Sequence, residues 1–155
     1  MIYRCKDTKS IAKILNHPKV FKWVGDDFAA IGYVPVVLNE AIIWLMNKEQ
    51  TGLIKIDQVN FVTCHVHIAT LPELWGKADK FVEEALYWGF NWTHFLKVIA
   101  LIPVFNNLAL KLVERNGFEK EGCIKKSFLK NWELHDLLIY GLTKEDFLKE
   151  KIWQL

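Results

Sequence analysis

The chain has 155 residues, is 52% hydrophobic and 14% aromatic, and carries 20 basic against 18 acidic side chains for a net charge of +2. This length fits one domain spanning residues 1–155, with enough apolar residues for a full core. The composition excludes a disordered chain, and the near-neutral charge gives no basis for nucleic acid as a partner.

The three cysteines, Cys5, Cys64 and Cys123, are odd in number and have no CxxC spacing. Reduced thiols in the cytoplasm are expected. The start "MIYRCKDTKS" lacks the apolar core of a signal peptide. The apolar run Val98 to Phe105 is far shorter than the ~18–20 residues that span a bilayer, so no membrane partner is expected.

In chain order, "IYRC" reads as a first strand. "DTKSIAKILNHP" reads as a helix, with Asp7 or Thr8 as cap and Ile11, Ile14 and Leu15 on one face before Pro18. "HPKVFKWVGDDF" predicts a second short helix and a turn at Gly25-Asp26-Asp27. "EAIIWLMN", "GLIKIDQV" and "FVTCHVHIAT" follow as strands separated by polar turns, an antiparallel meander. In the second of these, Ile54 and Ile56 share one face, while Leu53, Lys55, Asp57 and Val59 share the other.

The period then changes. From Gly76 onward, Ala78, Phe81, Val82, Ala85 and Leu86 recur at helical spacing, and Gly89 to Trp92 ends the helix. "LKVIALIP" is a short buried strand. "VFNNLALKLVERNGF" is a helix with Leu108, Leu112 and Val113 inward and Asn116-Gly117 as its C-cap. Strands "FEKEGCIKKSFL" and "HDLLIYGL" precede a last helix, "TKEDFLKE", whose Thr143 and Asp146 form a capping-box pattern. The order β-α-α-β-β-β-α-β-α-β-β, then a helix, predicts an α/β (α+β) domain with a mixed sheet.

Gly76 and Ala78 sit where a strand passes into a helix. A helix N-terminus leaves backbone N–H groups unpaired and carries partial positive charge, so it suits phosphate. Small residues let an anion approach. The alternative reading is a plain turn. His65 and His67 lie two apart on a strand, hence on one face. They read as proton acceptors or as half-buried strand residues. A metal pair lacks a third ligand in the sequence, and no metal is expected. Cys64 points to the other face and reads as core.

The ordered blocks carry more than their parts. Pro72, Trp75, Gly76 and Lys77, then Glu84-Ala85, then Asn106, Gly117, Phe118, Glu121 and Gly122, then Asp136, Tyr140 and Leu142 resemble the GNAT superfamily of N-acetyltransferases. The likeness covers roughly residues 60–147 and is nearest to the ribosomal-protein N-acetyltransferase branch. Through "NHPKVFKWVGDD" it also touches GNAT-like proteins of tailed phages.

The resemblance implies a GNAT fold, with a mostly antiparallel sheet, splayed central strands and flanking helices. It implies acetyl-CoA as cofactor and a primary amine as acceptor, on a protein or a small molecule, in a monomer or homodimer. The backbone at Ile68, Ala69 and Thr70 would meet the pantetheine arm. The amides of Trp75, Gly76, Lys77 and Ala78 would hold the pyrophosphate. Asn106 and Ala109, at the next helix, would lie near the reactive end. Lys77, Lys111 and Arg115 are candidates for the outer phosphate or solvated helix residues, His135 and Asp136 line the acceptor pocket or simply start a strand, and Tyr140 is a candidate for catalysis, with His65 and His67, or a buried structural Tyr.

The chain departs from the family pattern at four points. Glu73 stands where Gln or Arg is common, Ala78 replaces the last loop Gly, Ala109 replaces a Ser, and Val113 replaces a Tyr that serves many members as general acid. These departures keep a second reading open, a catalytically silent binding or assembly protein of this fold. A third is a CoA protein that uses another acyl group.

Overall fold

A computed structural model describes residues 1–27 and 41–152. The strands are β1 (Ile2–Arg4), β2 (Ile42–Asn47), β3 (Gly52–Gln58), β4 (Thr63–Thr70), β5 (Lys97–Pro103), β6 (Glu119–Lys130) and β7 (Glu133–Thr143). The helices are α1 (Thr8–Leu15), α2 (Pro18–Val24), α3 (Asp79–Trp92), α4 (Asn107–Arg115) and α5 (Lys144–Ile152), with a 3-10 turn at Pro72–Leu74. The expected element order is present. Phe28 and Glu40, at the ends of two expected elements, lie outside the described residues.

The seven strands form one sheet in the order β1-β2-β3-β4-β5-β7-β6. Every pairing is antiparallel except β4 with β5, which is parallel. A parallel neighbour needs a crossover, and α3 supplies it. Helices then cover both faces. On one face α3, α4 and α5 bury Phe81, Val82, Ala85, Leu86, Phe90, Leu112, Val113 and Phe147 against Ile54, Ile56, Cys64, Val98 and Ala100. On the other, α1 and α2 bury Ile11, Ile14 and Val20 against Trp44, Met46, Leu53 and Ala69.

Local chemistry sets the boundaries. The Asp7 carboxylate accepts hydrogen bonds from the Lys9 and Ser10 amides at 3.1 and 3.2 Å, which caps α1. Thr143 Oγ1 accepts from the Asp146 amide at 3.1 Å and donates to its carboxylate at 2.6 Å, the capping pair read from the sequence. Gly117 has φ +81° and follows the end of α4, as expected of a C-cap glycine. The β6–β7 turn places Asn131 and Trp132 at φ 53° and 59°, and both amides donate to the Asp27 carboxylate, at 2.9 and 2.7 Å.

Three expectations change. The helix after β4 begins at Asp79, not Gly76, because the chain first closes a 3-10 turn. Leu108 is 42% exposed. The inward stripe of α4 runs through Ala109, Leu112 and Val113, which leaves Leu108 about 100° off it. The strand expected from Phe61 starts at Thr63, and Phe61 is exposed in the preceding turn.

Candidate active site

The parallel β4–β5 ladder stops after Thr63↔Lys97, Cys64↔Val98 and His65↔Ile99. β4 stays paired to β3 as far as Thr70↔Gly52, and β5 stays paired to β7 as far as Pro103↔Leu137. From Val66 onward, then, the two central strands are no longer paired to each other, while each keeps its outer partner. The edge of β4 that faces β5 keeps backbone donors and acceptors without a strand partner, in the middle of a continuous sheet. Ile68, Ala69 and Thr70 lie along this edge. The Ala69 side chain is buried among the α1 and α2 residues, so it offers only its backbone here. The Thr70 carbonyl already accepts from Trp75 Nε1 at 3.0 Å.

The edge leads into the loop before α3. The Trp75 amide donates to the Pro72 carbonyl at 3.1 Å and the Lys77 amide to the Leu74 carbonyl at 3.0 Å. The expectation that four amides of Trp75 to Ala78 are free is corrected: the 3-10 turn consumes two of them. Gly76 and Ala78 have no amide partner among the described residues. Gly76 has φ +76°, a conformation that side chains disfavour, and a Cβ there would meet nothing within 4 Å. The glycine is therefore required by the turn and not by crowding. Glu73 is exposed, at the outer side of the turn.

Asp79, the first residue of α3, would set a carboxylate beside an incoming anion. It is drawn aside instead, by Arg115 Nε at 2.9 Å, Arg115 Nη2 at 3.2 Å and Asn116 Nδ2 at 3.2 Å. The Arg115 hydrogen bonds hold the Asp79 carboxyl below its usual range. Arg115, a candidate for the outer phosphate, is thus committed to clamping α4 to α3. Lys77 and Lys80 are exposed beside the loop. Asn106 caps α4: its Oδ1 accepts from the Ala109 amide at 3.2 Å, which ties together the two residues expected near the reactive end.

His65 and His67 share the face toward α1 and α2, with ring centroids 4.2 Å apart. His65 is the last β4 residue paired to β5, and His67 is the second residue beyond it, at the mouth of the opening. Across the β3 ladder Asp57 stands opposite His65 and Lys55 opposite His67. Asp57 Oδ2 lies 3.5 Å from His67 Nε2, and Asp57 Oδ1 lies 3.0 Å from Lys55 Nζ. Sequence reasoning missed Asp57 and Lys55. Their alternation on β3 was visible, but not their register against the histidines.

Both imidazoles are held neutral at pH 7. Desolvation pushes His67 down to about 4, with His65 and Lys55 adding to it against Asp57. The side chain itself is 54% exposed. Desolvation also lowers His65, against the pull of Asp57. Its Nε2 is buried with no hydrogen-bond partner among the described residues. Burial pushes the Cys64 thiol up to about 12, so it is an inert core group.

The structure does not bring Tyr140 to the histidines. It packs in the core beneath α3 and α4, and its hydroxyl donates to Glu114 Oε1 at 2.8 Å. That hydrogen bond raises its pKa above the usual phenol value. His135 contacts the Phe105 ring edge-on at 4.8 Å, and Asp136 accepts from the Lys126 amide at 2.8 Å.

A sheet split between its fourth and fifth strands, running into a turn with free amides at a helix N-terminus, defines the GNAT fold, and the chain has that fold. Solved structures agree over nearly the whole chain. A spermidine N-acetyltransferase from Vibrio cholerae, in complex with CoA and spermine, superimposes with TM-score 0.79 at 19% identity over 96% of this chain and 97% of that one. A ribosomal-protein-S5-alanine acetyltransferase from Vibrio fischeri gives 0.74 at 18% identity over 94% and 93%. In sequence, the chain is 31% identical over 72 residues to an uncharacterized N-acetyltransferase derived from the SPbeta prophage of Bacillus subtilis. That match covers 46% of this chain and spans less than half, 41%, of the relative. No family model matches the sequence.

Proposed function

We propose that the chain is an acetyl-CoA-dependent N-acetyltransferase acting on a primary amine, a protein N-terminus, a lysine or a small polyamine. The observation that carries this reading is the unpaired β4 edge from Val66, continuous with the free amides of Gly76 and Ala78. An amide-bearing pantetheine arm adds to such an edge as a strand would, and the helix N-terminus takes the pyrophosphate. The prophage-derived relative and the polyamine and ribosomal-protein enzymes of the same fold support it.

In this reading the thioester lies at the mouth of the opening, near His67. The amine lone pair attacks the carbonyl carbon, a C–N bond forms, and the oxyanion takes a hydrogen bond from a β4 amide near Ile68. The tetrahedral adduct carries an acidic ammonium. His67 or His65, neutral at the outset, accepts that proton directly or through water. The C–S bond then breaks and the thiolate leaves, taking the proton up to give CoA. Asp57, 3.5 Å from His67 Nε2, stabilises the imidazolium once the proton has been taken up.

Reduced cysteines fit a cytoplasmic setting, and the activity needs no more than a monomer or homodimer. The second reading, a silent binding or assembly protein, is favoured by one feature: α4 offers Ala109 and Val113 where a hydroxyl donor would stand. The test is incubation with acetyl-CoA and a panel of spermidine, a peptide with a free N-terminus and a lysine peptide. Transfer of one acetyl group, read by mass with matching CoA release, supports the enzyme. Intact acetyl-CoA bound to the protein with every acceptor unchanged supports the silent reading.

A further inference from the structure

The histidine pair does more than the acetyl-transfer chemistry asks. One donor atom from each of Asp57, His65 and His67 lies within 4.8 Å of the other two. Ligands bound at ~2.0–2.1 Å in a tetrahedral site stand about 3.3 Å apart, and His67 Nε2 to Asp57 Oδ2, at 3.5 Å, is already there. The third donor, from His65, lies within 4.8 Å of both. The scaffold is rigid: two ligands alternate on β4, and the third sits directly opposite His65 on β3. His65 Nε2 is itself buried with no hydrogen-bond partner among the described residues, and such a nitrogen carries a desolvation cost.

We propose that Asp57, His65 and His67 form a binding site for one divalent transition-metal ion. Two imidazoles and a carboxylate select Zn2+, Co2+ or Fe2+ over Mg2+ and Ca2+, which prefer all-oxygen shells. Three protein donors leave a coordination position for solvent at the mouth of the β4–β5 opening. Lys55, 3.0 Å from Asp57 Oδ1, holds the carboxylate so that Oδ2 faces the histidines. Its charge opposes the cation, which points to reversible rather than structural binding. A coordinated imidazole accepts no proton. If the acetyl-transfer reading holds, metal therefore inhibits transfer, but the binding itself does not rest on that reading.

The test is made without acetyl-CoA. Chelator-treated protein is titrated with Co2+ and followed by its visible absorption, with Zn2+ as competitor. The expected result is one Co2+ per chain in a low-symmetry site, displaced by Zn2+, with affinity at least tenfold lower in His67→Gln and in Asp57→Asn. Both variants lie on the partly exposed face of the sheet, and circular dichroism confirms their folding. Absence of 1:1 binding in the unaltered protein, or binding undiminished in the folded variants, overturns the site.

Discussion

His67 joins two properties that oppose one another. It lies at a mouth where a proton acceptor is useful, and its surroundings disfavour the charged form. With its folded pKa near 4 and an unfolded value near 6.5, the unfolded chain binds more protons between those limits. Stability is therefore full above about pH 6.5 and falls as pH drops toward 4. Thermal unfolding across that range should show the decline, and His67→Gln should make the profile flatter. The same residue bears on catalysis. His67→Gln should lower kcat/KM by about 100-fold or more if it takes the proton, with acetyl-CoA affinity unchanged. A loss of affinity instead would make His67 part of the cofactor site.

At the scale of the element, the turn before α3 is the critical piece. Gly76 at φ +76° has open space around it, so Gly76→Ala should cost about 1 kcal/mol through backbone strain alone, as read by denaturant unfolding. The sequence marked this turn as special but misread its interior. Four free amides were expected, and the 3-10 turn takes those of Trp75 and Lys77. Periodicity does not reveal such local closure. Strand register was hidden for a related reason. Lys55 and Asp57 were legible as one face of β3, but a one-residue slip would reverse which face meets His65 and His67, and pairing across the sheet decides it. Helix caps, by contrast, are local, and Asp7, Thr143 and Gly117 stand where they were read.

At the scale of the molecule, the fold depends on two cores separated by one sheet. Phe90 is 1% exposed and packs against Phe147 of α5, with ring centroids 5.5 Å apart and the rings tilted by 41°, joining the crossover helix to the last one. Phe90→Ala should cost about 3–5 kcal/mol, measurable by denaturant unfolding, and should weaken any ligand held at the start of α3. The order of elements was legible because the period switches cleanly between strands and helices. The split between β4 and β5 was not. Both strands read simply as apolar runs, and only the likeness of the ordered blocks to one superfamily pointed to the opening between them. Among the described residues no helix is long and apolar enough to cross a membrane.

All of these scales meet in one claim, that the β4–β5 opening and the Gly76 turn hold acetyl-CoA. Calorimetric titration of acetyl-CoA into the purified protein, beside Gly76→Asp, tests it most directly. One site per chain with micromolar affinity is expected, weakened at least tenfold by a carboxylate placed at the turn. A folded protein that gives no binding, or a folded Gly76→Asp variant that binds equally well, would contradict it.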